Sequence, residues 1–473
     1  MNPSSQDVSG RLNRRELLGA TAATVGLALL GGSRSAASAT APAALSAAPG
    51  EICALSALQL SAAIRQRQLS CREVMAAYLA HIERYNPTYN AIVAMPEASG
   101  LLAQAEAADR ELARGEYRGW MHGMPHAAKD LTDVAGLVSS GGSPIFQGQV
   151  ARKDSLLVAR IRAAGAIFIG KTNVPEFGLG SQTYNPVYGT TGNAYNPALV
   201  AGGSSGGAAV GLATHMLPVA DGSDMMGSLR NPAGFNNVIG FRPTQGRVPH
   251  PGGDIFLQQL GYEGPMGRNV DDTIRLLVTL SGANAGAPLS LRDTFEHVPE
   301  LDDDAFSRLR LGWLGDYRGY LPMEPGLLPL ARAALVPLEK EGVRVVDAAP
   351  DYDMGRLWQC WLTLRQWAIA GGGGGALYAD PAKRSLMKPE LIWEIENSLR
   401  LSAMQVAAAG AARGDWYRTL LSLFEHHDFL VLPTAQVFPF PADIHWPQSI
   451  NGVKMDAYHR WMEVVIGGTL SGC

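Results

Sequence analysis

The segment Asp221-Gly-Ser-Asp-Met-Met-Gly-Ser-Leu-Arg-Asn-Pro232 contains a serine, Ser228, directly behind a glycine. Glycine adopts backbone conformations that other residues avoid, so a turn at this point can present the serine hydroxyl to a substrate. Taken alone, a serine after a glycine usually belongs to a plain turn. The segments that precede it in the chain therefore decide between a turn and a catalytic nucleophile.

A glycine-rich run, Gly202-Gly-Ser-Ser-Gly-Gly207, precedes this segment and matches the serine-elbow pattern G-x-S-x-G twice, centred on Ser204 or on Ser205. An α/β-hydrolase would then need an acid and a histidine downstream, in that order. Histidines do follow, but none lies in a setting that singles it out as a general base. The simpler interpretation of the run alone is a glycine-rich turn that binds nothing.

A second motif, Gly165-Ala-Ile-Phe-Ile-Gly-Lys-Thr172, matches the phosphate-loop pattern G-x-x-x-x-G-K-[ST]. A phosphate loop needs a strand before its first glycine and a helix directly after its last residue. Here the preceding segment is predicted to be helical, the intervening residues form a buried strand, and Pro175 follows within three residues of Thr172. The context therefore argues against nucleotide binding.

Outside these motifs, helical and strand patterns alternate along the chain. Apolar spacing predicts helices over residues 55–85, 98–112, 155–164 and 327–341, and short strands over 166–169, 309–314 and 343–346. This alternation is typical of an α/β sheet covered on both faces. The glycine run at 371–375 predicts a mobile or very tight loop, because neither a helix interior nor a strand favours such a run.

Four segments together resemble the amidase signature family and occur in the family's order. They are Gly123-Met-Pro-His-Ala-Ala-Lys-Asp130, Arg162-Ala-Ala-Gly-Ala-Ile-Phe-Ile-Gly-Lys-Thr-Asn173, the glycine-rich run and the Ser228 segment. The similarity extends from about residue 55 to the last residue. It implies a single α/β/α domain around a large mixed, mostly parallel twisted sheet. It also implies hydrolysis of a carboxylic amide through an acyl-enzyme.

The resemblance implies a role for each of the polar residues in these segments. Ser228 is the nucleophile, Lys129 is the general base, and Ser205 adds a supporting hydrogen bond. Ser204 connects the first two, because a hydroxyl both accepts and donates and can pass a proton from Ser228 to Lys129. Amide hydrolysis needs an activated nucleophile, a stabilised oxyanion and a proton for the departing nitrogen.

Lys129 can act as a base only when it is neutral, and burial lowers a lysine pKa from its ordinary value of about 10.4. Ala127 and Ala128 directly before it suit the end of a buried strand. The alternative is a surface lysine that pairs with Asp130 or Asp133.

The oxyanion hole is expected to come from backbone N–H groups of four consecutive residues, Met225, Met226, Gly227 and Ser228. The family usually has two glycines before the nucleophile, whereas this chain has a methionine first. A positive φ would be costly at Met226. Asp224 and Arg230 match family positions that brace this loop, and a structural ion pair is favoured at least as much as a catalytic duty.

Composition narrows the classes of partner. The chain has 473 residues and a formal net charge of −4, so it lacks the basic field that nucleic acid binding requires. A small-molecule amide substrate fits better. Neither a metal nor another cofactor is predicted, because the four cysteines are scattered without metal-ligand spacing. Pairing of Cys53 with Cys71 stays open, and so does assembly into a homo-oligomer.

The N-terminus has the order of a cleavable export signal. Arg14 and Arg15 precede a weakly apolar stretch at residues 17–30, and small-residue sites such as Ala37-Ser-Ala39 follow. We expect a twin-arginine signal at residues 1–40, a leader segment at 41–54, the amidase signature domain at 55–473 and a periplasmic or secreted protein. The stretch is too short and mild for a stable membrane span. A membrane anchor or an unstructured leader is the alternative.

At the other end, the sequence stops in an apolar segment, Gly-Gly-Thr-Leu-Ser-Gly-Cys473, where the family normally continues through further strands. We therefore expect the domain to be truncated at its C-terminus. An unpaired sheet edge would lower the stability and the activity.

Two other functions fit the same residues. One is an esterase, because an acyl-enzyme forms from either leaving group. The other is a noncatalytic member or an amidotransferase-type amidase subunit, although an export signal argues against a cytosolic tRNA partner. The sequence does not identify the amide. The acyl pocket is expected from residues 131–146, residues 250–262 and the C-terminal half, including Trp358, Trp361 and Trp367, although such tryptophans more often pack in a core.

Overall fold

The computed structural model describes residues 48–253, 255–256, 260–295 and 302–472. The predicted export signal, the first part of the predicted leader and Cys473 lie outside these residues. The last leader residues form a helix, Pro49–Ala54, in which Ile52 and Cys53 are buried. None of the described helices combines the length and the apolar character that a membrane crossing requires.

The α-helices follow one another along the whole described chain. They are α1 (Pro49–Ala54), α2 (Ala57–Arg65), α3 (Cys71–Tyr89), α4 (Ala98–Ala113), α5 (Leu156–Ala163), α6 (Gly206–Ala213), α7 (Arg230–Asn236), α8 (Val270–Leu280), α9 (Asp303–Ser307), α10 (Leu327–Ala333), α11 (Val336–Lys340), α12 (Met354–Ile369), α13 (Gly375–Ala379), α14 (Pro381–Arg384), α15 (Pro389–Ser398), α16 (Ala403–Phe424) and α17 (Ile466–Ser471).

The strands are short and alternate with these helices. They are β1 (Ile92–Val93), β2 (Pro125–Lys129), β3 (Ile167–Thr172), β4 (Tyr184–Asn185), β5 (Gly189–Thr190), β6 (Ala220–Asp224), β7 (Ile239–Gly240), β8 (Tyr262–Gly267), β9 (Arg310–Trp313), β10 (Arg344–Asp347), β11 (Phe429–Val431), β12 (Ser449–Ile450) and β13 (Val453–Lys454).

Serine caps divide the first predicted helical stretch into two helices. Ser56 accepts a hydrogen bond from the Gln59 N–H at the start of α2, and Ser70 accepts one from the Glu73 N–H at the start of α3. Such caps satisfy N–H groups that have no partner within the helix. Arg67, at φ 57°, reverses the chain between them. The helical pattern predicted over residues 55–85 is therefore confirmed as two helices, and α4 and α5 also match their predictions.

The glycine run at residues 371–375 forms a helical turn and not the predicted loop, so this prediction is wrong. Residues Ala370–Gly374 form a π-helical turn that connects α12 to α13. Gly372 and Gly373 leave helical geometry inside the turn, and Gly373 has φ 111°. Residues other than glycine rarely adopt this conformation, so the run allows a bulge within an otherwise helical path.

The strands form mixed sheets, which confirms the predicted α/β class. β3 pairs in parallel with β2 and antiparallel with β1. β8 pairs antiparallel with both β6 and β7. β9 lies between β10 and β11 and is parallel to both. β2 and β6 are also linked, because the Lys129 N–H donates to Asp221 Oδ2 at 3.2 Å.

Two large hydrophobic clusters form most of the core of the described residues, and a smaller third cluster contains Leu179, Met387, Leu391 and Ile395. The first contains side chains from α2, α3, α4, β3 and α6, and the second contains those from α12, α16 and α17. Met226 belongs to the second cluster, whereas Leu229 belongs to the first. The turn with Ser228 therefore lies between the two clusters, anchored by apolar side chains on both sides.

The cysteines in the described residues are not paired. Cys53, Cys71 and Cys360 are all free and buried. The Cys71 thiol donates to the His122 carbonyl at 3.8 Å. The disulfide between Cys53 and Cys71 that the sequence left open is therefore absent from this part of the chain.

Candidate active site

Lys129 is the last residue of β2, a strand whose five residues are all buried. Its side-chain nitrogen, Nζ, lies within hydrogen-bond distance of Ser204 Oγ and Ser205 Oγ, each at 2.8 Å. The carbonyl oxygen and Oγ of Ser223 lie at 3.0 Å from the same nitrogen. The alternative of a surface lysine is wrong, because within the described residues Nζ contacts hydroxyls and a carbonyl at hydrogen-bond distance and no carboxylate.

The surroundings of Lys129 favour its neutral form. Burial lowers the pKa of Lys129 to about 7, against the opposing effect of the carboxylates of Asp224, Asp221 and Glu263. Asp130, the sequence neighbour considered as a partner, instead accepts hydrogen bonds from Lys171 Nζ at 3.2 Å and from Ser140 Oγ at 2.9 Å. A substantial fraction of Lys129 is therefore unprotonated near neutral pH and can accept a proton.

Ser204 lies in the glycine-rich run, between β5 and α6, and follows a cis peptide bond from Gly203. The glycines of this run are packed tightly against their neighbours. A Cβ at Gly206 would lie 2.2 Å from Thr183 Oγ1, and one at Gly203 would lie 3.1 Å from the Ser181 carbonyl carbon. The run therefore needs glycine at these positions to bring the backbone of Ser204 against the segment at residues 181–183.

Ser228 lies in the turn that connects β6 to α7, and it is 7 % exposed. Its carbonyl oxygen accepts a hydrogen bond from the Ser205 N–H at 3.2 Å, which ties this turn to the glycine-rich run. The left-handed position of the turn is Gly227, with φ 82°, and Met226 is not among the residues with positive φ. The strain expected at Met226 is therefore absent.

The structure differs from the predicted oxyanion hole at one of the four N–H donors, that of Gly227. Its N–H donates to Asp224 Oδ1 at 2.8 Å, so this donor is already engaged and the prediction for Gly227 is corrected. Within the described residues, the N–H groups of Met225, Met226 and Ser228 make no hydrogen bond. These three backbone N–H groups stay available to a developing negative charge.

Asp224 and Arg230 form the brace that the sequence suggested. Arg230 contacts Asp224 through Nε at 3.0 Å and through a terminal nitrogen at 2.9 Å. Burial opposes the charge on Asp224, but Arg230 and Arg242 outweigh it and lower the pKa of this carboxyl group. Asp224 also holds the N–H groups of Gly227 and of Leu229. The pair therefore fixes the turn on either side of Ser228.

Ser204 and Ser228 line one cavity of about 200 Å³, together with Met225, Met226 and residues 177–181. The structure thus brings together the two serines that the sequence placed in separate segments. A larger cavity of about 600 Å³ shares Phe177, Met225 and other residues with it, so the two spaces adjoin.

The larger cavity agrees in part with the expected acyl pocket. Phe146, His250 and Leu260 line it, from the two loop regions that the sequence indicated, and so do residues 372–374 of the glycine run. Trp358 and Trp361 are buried in the second core cluster instead. Trp358 and Trp361 are therefore core residues, and the half-buried Trp367 packs against the same cluster.

Sequence reasoning missed two polar residues of the site. Arg365 on α12 and His459 both line the smaller cavity. Neither lies in a motif, and both are distant in sequence from the catalytic segments. The one signal that could have indicated them is that a charged residue and a histidine occur among apolar residues that are buried.

Comparisons with known proteins agree with this geometry. The family model named Amidase matches residues 73–473. An acylamidase from Rhodococcus erythropolis is 30% identical over 401 residues, which cover 85% of this chain and 83% of that protein. A glutamyl-tRNA(Gln) amidotransferase subunit from Methylococcus capsulatus is 41% identical over 225 residues, but the match spans 47% of this chain and 46% of that protein.

Solved structures show the same fold. A bacterial aryl acylamidase of the amidase signature enzymes is similar with a TM-score of 0.77 and 27% identity, over 88% of both chains. The 6-aminohexanoate cyclic dimer hydrolase in complex with its substrate has a TM-score of 0.74 at 24% identity, over 89% of both chains. The second likeness concerns the fold alone.

Proposed function

The chain belongs to the amidase signature family and is an amidase, and from this premise we propose that it hydrolyses a carboxylic amide through an acyl-enzyme on Ser228. The products are a carboxylic acid and an amine or ammonia. Lys129 carries the proposal, because a fully buried lysine that contacts hydroxyls rather than carboxylates is suited to accept a proton.

The first half of the proposed reaction forms the acyl-enzyme. Ser228 Oγ attacks the amide carbonyl carbon while its proton passes to Ser204 Oγ, and the Ser204 proton passes to neutral Lys129 Nζ. When the tetrahedral intermediate collapses, the C–N bond breaks and the nitrogen leaves with a proton returned through Ser204. The proton balance closes, and Lys129 is neutral again.

The second half releases the acid by the same route. Water attacks the acyl ester, and its proton passes through Ser204 to Lys129. Collapse of the second intermediate returns the proton to Ser228 Oγ and frees the carboxylic acid. In both halves, the oxyanion is stabilised by the available N–H groups of Met225, Met226 and Ser228, held in place by the Asp224 brace.

The cavities favour an apolar acyl or aryl group on the substrate. The larger space beside Ser228 is lined by Phe146, Leu260, Ile369 and Leu391 among others. Such a lining stabilises apolar surface removed from water by about 25 cal/mol per Å². The acylamidase and aryl acylamidase relatives, by their names, act on acyl amides, which supports the same class of substrate here.

The test compares 4-nitroanilides of short and long carboxylic acids with the matched 4-nitrophenyl esters. We expect the wild-type protein to hydrolyse the anilides and Ser228→Ala to lose this activity by a factor of about 1000 or more. Hydrolysis of esters without anilides would favour the esterase alternative. Retention of anilide hydrolysis in Ser228→Ala would show that the nucleophile is another residue.

A further inference from the structure

Arg365 is a buried cation that faces the catalytic cavity from α12. It is 4 % exposed, and its Nε donates to Glu394 Oε1 at 2.5 Å while a terminal nitrogen donates to Tyr458 Oη at 2.6 Å. The phenol in turn donates to Glu394 Oε1 at 2.7 Å. The guanidinium charge is thereby balanced by one carboxylate within the protein.

The remaining terminal nitrogen of Arg365 has a poor partner. It donates to the thioether sulfur of Met225 at 3.5 Å, and this sulfur is a weak acceptor. Met225 and Arg365 both line the cavity that contains Ser204 and Ser228. A strong donor is therefore directed at the substrate space, where a better acceptor would replace the sulfur.

His459 is the second polar group that lines this cavity, and together with Arg365 it forms what we call the polar wall. It is 2 % exposed, and within the described residues both of its ring nitrogens lack a hydrogen-bond partner. Its ring packs against Trp358, Trp393 and Tyr458, with centroid distances of 5.3, 6.0 and 4.6 Å. Buried polar atoms are satisfied in most proteins, so two unpaired nitrogens at a cavity wall point to a ligand.

The protonation state of His459 determines which hydrogen bonds its ring nitrogens can make. Burial, followed by the nearby charges of Arg365 and Arg460, lowers its pKa well below the ordinary value for histidine. The ring is therefore neutral, with one nitrogen as a donor and the other as an acceptor. The wall thus presents the Arg365 donor beside a group that donates and accepts.

We propose that Arg365 and His459 form a polar recognition site that binds a second, neutral amide group of the substrate, apart from the bond that is cleaved. A carboxamide provides a carbonyl oxygen for Arg365 and an N–H group for the acceptor nitrogen of His459. The inference rests on the proposed function, and it names the substrate class as amides with a further carboxamide.

Charge excludes the closest competitor, a carboxylate. Glu394 already neutralises Arg365, and within the described residues its second oxygen, Oε2, has no hydrogen-bond partner. A substrate carboxylate at Arg365 would therefore bring a second negative charge to a cation that Glu394 already balances, and this repulsion disfavours it. A neutral group avoids the repulsion.

The experiment measures binding in Ser228→Ala, so that it does not depend on turnover. Pentanamide and pentanediamide are titrated by calorimetry, with 5-amino-5-oxopentanoate as the carboxylate probe. We expect pentanediamide to bind about 10-fold more tightly than pentanamide, beyond the factor of two that its symmetry provides. The carboxylate probe should bind no better than pentanamide.

Substitutions of His459 and of a neighbouring tryptophan test whether the preference for pentanediamide depends on the polar wall. In Ser228→Ala/His459→Phe, which keeps an aromatic ring but removes both nitrogens, the preference for pentanediamide should fall below about threefold. His459→Gln, which keeps a donor and an acceptor, should restore part of it. Trp393→Phe changes packing in the same aromatic cluster and should leave the preference intact. Thermal unfolding confirms that each variant is folded.

Two results would overturn the inference. One is equal binding of the two amides to Ser228→Ala, and the other is a preference that survives in His459→Phe and disappears in Trp393→Phe. Failure of the proposed function has a different signature. The wild-type protein would then hydrolyse none of the anilides, while the binding preference and its dependence on His459 would persist.

Discussion

Lys129 and Lys171 are both fully buried, and they lie on adjacent parallel strands, β2 and β3. Burial lowers the pKa of both. Their partners differ. Lys171 Nζ contacts Asp130 at 3.2 Å and the Thr132 carbonyl at 2.7 Å, whereas Lys129 contacts serine hydroxyls and the Ser223 carbonyl.

The comparison shows that burial alone does not make a lysine into a base. A carboxylate in contact stabilises the ammonium form, so Lys171 is suited to a structural ion pair with Asp130. Hydroxyls stabilise the ammonium form less and can also exchange protons with the amine, so Lys129 is suited to proton transfer. The role of each lysine depends on the groups that contact its ammonium or amine nitrogen, and these groups come from other segments of the chain.

Replacing Lys129 should have the largest effect. Lys129→Met keeps a similar length and removes the base, so we expect kcat/KM for an anilide to fall by a factor of about 1000 or more. The serine hydroxyls left behind can hydrogen-bond to one another, so the protein should stay folded. Steady-state kinetics and thermal unfolding measure both effects. Activity within tenfold of wild type would place the base elsewhere.

Replacing Lys171 should act on stability instead. Lys171→Met leaves the Asp130 carboxylate buried without its cation, so we expect the free energy of unfolding to fall by about 3–5 kcal/mol. Urea unfolding followed by fluorescence gives this value. The folded fraction should keep its kcat within about threefold. A loss of activity as large as that of Lys129→Met, without a loss of stability, would remove the distinction between the two lysines.

The pH dependence should follow Lys129 and not Lys171. With a pKa of about 7, the neutral base becomes more abundant as the pH rises, so kcat/KM should increase across neutral pH and then level off. An unfolded lysine keeps its proton up to about pH 10.4. Unfolding therefore takes up a proton between these two values, and the free energy of unfolding contributed by this group rises with pH.

Lys129→Met provides the control for this effect, because the rise in stability that is due to Lys129 should disappear in the variant. Urea unfolding of both proteins at a series of pH values measures the difference. A rate that falls through neutral pH would contradict a lysine base.

The smallest expected effect concerns single hydroxyls around each lysine. Ser223→Ala removes one Oγ contact from Lys129, and Ser139→Ala removes the Oγ that lies 3.2 Å from Lys171. A single hydrogen bond contributes about 1 kcal/mol, so kcat/KM should fall about fivefold in Ser223→Ala. Ser139→Ala should leave it unchanged. Equal effects of the two substitutions would contradict separate roles.

The candidate site shows which functional residues can be predicted from sequence motifs. The positions of Lys129, Ser204 and Ser228 followed from four short segments in a fixed order, and the structure brings all three together. The context of the phosphate-loop match argues against nucleotide binding, and Lys171 in that motif lies on a buried strand. The residue types and the order of the segments are enough to predict catalytic residues when the members of a family share the same catalytic segments.

The predictions that failed depended on backbone geometry and on packing. The sequence could not show that the left-handed position of the turn is Gly227 rather than Met226, nor that Asp224 engages the Gly227 N–H. It also could not place Arg365 and His459, because one lies on α12 and the other in a turn near the end of the described chain, and only tertiary packing brings both to the cavity of Ser204 and Ser228.

The sequence by itself determined the family, the α/β class and the residue types that the chemistry needs. The tertiary structure alone decided which buried lysine faces hydroxyls and which faces a carboxylate, and what else lines the cavity. The physical reason is that a pKa and a hydrogen-bond partner depend on distances of a few ångströms. Those distances join Lys129 to Ser204 and Lys171 to Asp130, and they are set by the packing of separate segments.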